Sequence, residues 1–178
     1  MQEIIKVLKN DGIAIIPTDT IYGIVGCALN KVAVGKIYAL KERTPSKPFI
    51  ILISDINDLK TFNIKISTGT KKLLEKYWPG PVSVILECLD SSFEYLHRGT
   101  ESLAFRLPAN KDLVDLIRQT GPLVAPSANP EGLPPANNVS EAKEYFGEKI
   151  DFYVQGKTSA KPSKIVRITD EGEEVIRP

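Results

Sequence analysis

Short, almost unbroken apolar runs recur along this chain, separated by segments with helical spacing. Ile13-Ala14-Ile15-Ile16, Phe49 to Ile53, Val82 to Leu86, Leu103 to Leu107 and Leu123-Val124-Ala125 each read as a strand. Runs with no polar alternation belong to strands covered on both faces. The helical segments lie between and around them. Gln2 to Asn10 places Ile4, Ile5 and Leu8 on one side. Asn30 can cap a helix in which Val34, Ile37, Tyr38 and Lys41 share a face. Thr70 to Tyr77 carries Leu73 and Leu74 and halts at Trp78-Pro79-Gly80-Pro81. Lys111 to Arg118 turns Leu113, Val114 and Ile117 inward, and Ser140 can cap a helix ending at Phe146. Ile165 to Ile168 and Glu173 to Ile176 form a closing hairpin around Asp170-Glu171-Gly172, and Pro130 to Asn138 is the least regular stretch. The alternation predicts an α/β domain, and the hairpins predict a mixed sheet.

The 178 residues suit a single domain with a substantial core. No stretch approaches the roughly 18 apolar residues of a membrane span, and Met1 to Leu8 mixes Gln, Glu and Lys into its apolar residues, unlike a signal peptide. Cys27 and Cys88 lie far apart and read as two buried, reduced thiols of a cytoplasmic protein. With His97 as the one histidine, a structural zinc site is not expected. The net charge of +1 asks for no polyanion, so any anion site must be local.

Three polar islands sit at the ends of apolar segments. Pro17-Thr18-Asp19-Thr20-Ile21-Tyr22-Gly23 offers two threonine hydroxyls, a carboxylate and a phenol directly after the first strand. Asp19 there is a metal ligand, a general base or simply an Asx turn. Lys41-Glu42-Arg43-Thr44-Pro45-Ser46-Lys47-Pro48 puts three cations at a helix-to-strand junction stiffened by two prolines. Arg43 can clamp a carboxylate or phosphate with both arms of its fork, while Lys41 and Lys47 add point charges. Ser127-Ala128-Asn129 lies between prolines, and an extended chain would turn Ser127 and Asn129 to one side. Each island is equally compatible with a solvated connector or turn. Arg106, inside an apolar strand, either snorkels at an edge or faces a ligand. Arg177 poses the same choice against a frayed terminus, and His97 reads as a loop residue. Neither a Walker A sequence nor Gly-x-Gly-x-x-Gly is present, so a nucleotide would be held by cations and hydroxyls.

Taken in order, these islands resemble the YrdC-like family of threonylcarbamoyl-AMP synthases. The matching pieces are Pro17 to Gly23, Lys41-Glu42-Arg43, Trp78-Pro79-Gly80-Pro81, Phe105-Arg106-Leu107-Pro108, Gly121-Pro122-Leu123 and Ser127 to Gly132, with Pro162-Ser163 and Ile176-Arg177 near the end. The resemblance covers nearly the whole chain. It implies a twisted mixed sheet flanked by helices around a concave basic groove, the YrdC-like fold, in one domain over 1–178. It implies that L-threonine, bicarbonate or CO₂, and ATP give threonylcarbamoyl-AMP and pyrophosphate. Mg²⁺ would accompany ATP, with no tightly bound cofactor and no protein metal site. The product would feed N6-threonylcarbamoyladenosine formation on tRNA through a TsaD-type transferase and its helpers. In the short form of the family, that transferase is a separate protein.

By this resemblance Lys41, Arg43, Ser127 and Asn129 line the groove as catalytic residues. ATP falls to Arg43, Lys47, Ser102, Ser127 and Arg177. Threonine falls to Thr20, Arg106, the Ala125 backbone and Ser163, with Arg106 on its carboxylate. The chain departs from the pattern at Lys164, where a threonine is common, at Ser83, and at Leu52, the counterpart of a histidine in some members.

Two other functions are weighed beside this one. A double-stranded RNA or tRNA-binding module fits a basic groove, but the chain lacks interleaved aromatics and a basic surplus. A carbamoyl-transfer domain of the HypF type shares the fold, but this chain has none of the cysteine clusters that accompany it.

Overall fold

The computed structural model describes residues 1–169 and 172–178. Its helices are α1 (Gln2–Lys9), α2 (Lys31–Lys41), α3 (Thr68–Tyr77), the single turn α4 (Glu94–His97), α5 (Lys111–Thr120) and α6 (Val139–Phe146). Its strands are β1 (Ala14–Pro17), β2 (Tyr22–Cys27), β3 (Ile50–Leu52), β4 (Val82–Glu87), β5 (Ser102–Arg106), β6 (Leu123–Val124), β7 (Phe152–Tyr153), β8 (Lys164–Thr169) and β9 (Gly172–Arg177). They join in one sheet ordered β7-β1-β2-β6-β3-β5-β4-β8-β9. Pairs β1/β7, β3/β5 and β4/β8 are parallel, and the others are antiparallel, which makes the expected mixed sheet.

The absence of polar alternation has a direct cause. Along β1, Ala14 and Ile16 join a cluster with Ile4, Ile5 and Leu8 of α1 and Leu113, Leu116 and Ile117 of α5. Ile15, between them, faces the opposite cluster with Ile37, Phe62 and Phe105. Leu52 and Leu123 belong to the first cluster, and Ile51 and Val124 to the second. Every position is inward-facing on one side or the other. Each such Ile or Leu contributes roughly 1.5–3 kcal/mol by leaving water.

Several local expectations change. Tyr22–Cys27 is a strand paired antiparallel to β1, so the first polar island is the four-residue link of a hairpin plus the start of its second strand. Asn138, not Ser140, caps α6, accepting from the Glu141 N–H. Ser140 already lies inside the helix. His97 is buried at the end of α4 rather than in a loop. Cys27 is only half-buried, while Cys88 is buried as expected, and both are free. Val114 is half-buried, and Leu116 takes the inward place beside Leu113 and Ile117. Asn30 caps α2 as its position suggests, accepting from the N–H groups of Val32 and Ala33. The closing hairpin forms as β8 and β9, and Asp170 and Glu171 of its turn lie outside the described residues.

Candidate active site

One cavity of about 330 Å³ gathers the ends of these elements. The β1–β2 link supplies Thr18, Thr20 and Ile21. The segment after α2 supplies Arg43, Pro48 and Phe49, and the end of β5 supplies Arg106. The segment after β6 supplies Ala125, Pro126 and Ser127. Ser163 comes from just before β8 and Arg177 from the end of β9. The segment after β6 lies so close to β2 that a side chain on Gly23 would bring its Cβ to 3.3 Å from the Pro126 oxygen. That approach is held by Ile24 N–H to Pro126 O at 2.9 Å and Ala128 N–H to Tyr22 O at 2.9 Å.

Three guanidinium groups, those of Arg43, Arg106 and Arg177, face this one space. Arg106 is only 4% exposed. Its Nη2 lies 3.0 Å from Asp19 Oδ1 and donates to Thr18 Oγ1 at 3.4 Å. Burial pushes the Asp19 carboxyl above its usual range, and the nearby Arg106 charge only partly offsets this. Burial likewise lowers the proton affinity of Arg106, opposed by Asp19. The cation is thus held from behind by a carboxylate that does not line the cavity. Thr18 Oγ1 donates to Ile21 O at 2.7 Å and lies 2.9 Å from Thr20 Oγ1, which orients the Thr20 hydroxyl.

Arg177 is anchored. Its Nε and Nη2 both donate to Ser163 O, and Nη2 also reaches Ser163 Oγ at 3.2 Å. Ser163 Oγ in turn lies 2.9 Å from Ser83 Oγ, which is fully buried. The serine that replaces a common threonine therefore supports the cavity-lining Ser163 hydroxyl from behind.

Of the residues singled out in the sequence, the cavity brings together Thr20, Arg43, Arg106, Ala125, Ser127, Ser163 and Arg177. Lys41 lies elsewhere. It is 1% exposed, and its Nζ donates to Ser127 O at 2.5 Å and to Asn129 O. Burial first, and then the charge of Arg43, lowers its pKa to about 8. Asn129 also turns inward, its amide donating to Pro130 O and Leu133 O. Ser127 and Asn129 therefore do not share a face: the loop curls around the Lys41 ammonium. Lys47 is exposed and paired with Glu131, which also accepts from Thr44 N–H and Thr44 Oγ1. Lys47 and then Thr44 hold the Glu131 carboxyl down to about 2. Ser102 begins β5 and Arg106 ends it, so Ser102 lies ~13 Å along the strand from the cavity cation. Leu52 packs in the apolar cluster with Leu113 and Leu123, and Lys164 starts β8 outside the cavity.

Sequence reasoning missed Ser83 and Glu131 as supports and Asp19 as the partner of Arg106. A partial signal for Asp19 existed: a buried strand arginine needs a counter-charge, and Asp19 and Glu42 are the carboxylates within the three polar islands. Among the described residues, no group of three or more His, Cys, Asp or Glu side chains is arranged to hold a metal ion. No described helix is long and apolar enough to cross a membrane.

A family model covering Sua5, YciO and YrdC proteins, described as "Telomere recombination", matches residues 6–178. A threonylcarbamoyl-AMP synthase of Nitrosococcus oceani is 32% identical over 90% of this chain and 88% of its own length. One of Bacillus subtilis is 31% identical over 96% of this chain and 51% of its own length. The crystal structure of Pyrococcus abyssi Sua5 complexed with L-threonine superposes with a TM-score of 0.91 at 27% identity. That match covers 99% of this chain and 53% of the Sua5 chain. The chain thus spans about half the length of the Bacillus and Pyrococcus proteins, and most of the Nitrosococcus one.

Proposed function

The chain belongs to the Sua5/YciO/YrdC family, and on that premise we propose that it makes threonylcarbamoyl-AMP and pyrophosphate from L-threonine, bicarbonate or CO₂, and ATP. The observation that carries this reading is the convergence of three guanidinium groups and several hydroxyls on one small cavity. The reaction needs that arrangement. The threonine amine attacks CO₂, forms a C–N bond and releases a proton, giving a carbamate. A carbamate oxygen then bonds to the α-phosphorus of ATP, while the bond from that phosphorus to the β-phosphate bridging oxygen breaks and pyrophosphate leaves. Two anions must be brought together, so charge neutralisation and positioning dominate over proton transfer.

In this reading Arg106 takes the threonine carboxylate. Thr20, Ser163 and the Ala125 backbone surround the rest of the amino acid. Arg43, Ser127 and Arg177 take the nucleotide phosphates. Lys41 and Asn129 act one step back, by holding the Ser127 loop in shape. Lys47 remains an outer contact, able to exchange Glu131 for phosphate. Mg²⁺ arrives with ATP as part of the substrate. Residues 1–178 serve as one catalytic unit in the cytoplasm, and the product passes to a TsaD-type transferase and its helpers for tRNA modification.

The test is pyrophosphate release by the purified protein. Release requiring ATP, threonine and bicarbonate together is expected. Threonine-independent release at the same rate overturns the reading. Dependence on carbamoyl phosphate points instead to carbamoyl transfer, and tRNA binding without turnover to an RNA-binding module. Valine in place of threonine should lose far more than serine does, because a pocket that hydrogen-bonds a hydroxyl strongly rejects the isostere lacking it.

A further inference from the structure

Behind the cavity wall, Arg98 and Tyr38 extend a column of four side chains whose other two members, Phe49 and Arg43, line the cavity. The Arg98 guanidinium carbon lies 4.4 Å from the Tyr38 ring centroid. The Tyr38 ring stacks on Phe49 with centroids 4.0 Å apart and planes inclined by 24°. The Arg43 guanidinium carbon lies 5.9 Å from the Phe49 centroid on the way to the cavity. Two rings are thus capped at each end by a cation, an arrangement in which each ring face attracts a positive charge.

The column is also stitched to the connector that carries Arg43. Arg98 Nε donates to Pro45 O at 2.8 Å, and Tyr38 Oη donates to Lys47 O at 3.0 Å. Arg43 N–H itself donates to Tyr38 O at 3.1 Å, where α2 ends with Glu42 in the left-handed region. Tyr38 and Phe49 are buried, so this support is fixed in the core rather than in solvent.

We propose that Arg98 and Tyr38 are positioning residues for nucleotide binding, acting through Phe49 and the 43–47 connector to hold the Arg43 guanidinium toward the ATP phosphates. A long arginine side chain loses rotamer freedom when it clamps an anion. Fixing it beforehand lowers that cost and so raises affinity. Arg98 contacts no part of the cavity and belongs to none of the motifs that marked the site in sequence. The inference rests on the reading above that ATP enters this cavity.

The experiment is a double-mutant cycle on the full chain, read by calorimetric titration with ATP·Mg²⁺ and, separately, with threonine. Arg98→Gln should weaken ATP binding about fivefold, within the range of one cation–π contact, and leave threonine affinity unchanged. Arg98→Lys, which keeps the charge but not the planar fork, should recover part of the loss. In an Arg43→Ala background, Arg98→Gln should have no further effect, because its route is gone. The same fold-loss in both backgrounds overturns the inference, as does an equal loss of threonine affinity. Coupling with no pyrophosphate release by the wild type sinks the functional reading alone. An active wild type with zero coupling sinks the inference alone. A wild-type chain that binds no ATP overturns both.

Discussion

Arg177 donates from Nε and Nη2 to one acceptor, the Ser163 carbonyl, at 2.9 and 2.7 Å. The contact joins the end of β9 to the residue just before β8, and so fixes a cation in the cavity lining. An arginine at this position in the chain reads as a frayed end from sequence. The strand and the paired bonds make it part of the wall.

Arg177→Ala should raise the ATP KM and cost about 1.5–3 kcal/mol of stability, the net worth of a hydrogen bond made by a charged group. Arg177→Lys should restore little of the ATP affinity, because an ammonium cannot reproduce the fork. Urea unfolding beside ATP kinetics measures both. Unchanged ATP kinetics in Arg177→Ala would return the residue to a purely structural role.

Arg106→Lys should raise the threonine KM more than tenfold while leaving the ATP KM within twofold. Lysine preserves the charge facing Asp19 but loses the two-pronged hold on a carboxylate. Steady-state kinetics with each substrate varied in turn checks this. Arg106→Leu is a different experiment, since it strands Asp19 without its counter-charge and should cost about 3–5 kcal/mol.

Lys41 gives a pH signature. Burial lowers its folded pKa to about 8, from the 10.5 of a solvated lysine. Between those values the unfolded chain binds the extra proton, so this group makes stability rise with pH across that window. Wild-type unfolding free energy should therefore climb relative to Lys41→Met from about pH 8 to 10.5. Parallel curves for the two proteins would contradict this. Activity should move the other way in the wild type. A neutral amine attracts the carbonyls of Ser127 and Asn129 less strongly than an ammonium does, so the Ser127 loop loosens.

Ile51→Ala should destabilise by about 2–5 kcal/mol, as large-to-small changes in packed cores do. Ile51 is fully buried between Val124 and Phe105 in the sheet. Chemical denaturation measures the loss.

The strands that sequence reveals are those buried on both faces, such as Ile50–Leu52 and Ser102–Arg106, because nothing polar interrupts them. β2 escaped because Gly23 and Gly26 are poor strand formers on their own. Gly26 sits there because a Cβ would meet Ile37 at 3.1 Å and Ala33 at 3.3 Å, a tertiary reason with no local trace. The site was legible as a set of residue types at strand ends. What was hidden is which polar groups turn inward. Lys41 falls on the same helical stripe as Val34, Ile37 and Tyr38, and that stripe does mark it as buried, yet its partners are backbone carbonyls more than eighty residues away. Lys47 looks identical in sequence and is exposed, because Glu131 claims it at the surface.

The cavity draws its first hydroxyls from the link at Thr18 and Thr20 and its last cation from Arg177. Between them the chain must lay down the interior of the sheet, with β1 and β9 near opposite edges. No early portion of the chain can therefore gather all three guanidinium groups. During synthesis, a ribosome-tethered chain lacking β9 should bind nucleotide weakly at best, however well its first strands have paired. Ligand capture is thereby placed after the completion of long-range pairing, the slow part of assembly for a sheet of this connectivity.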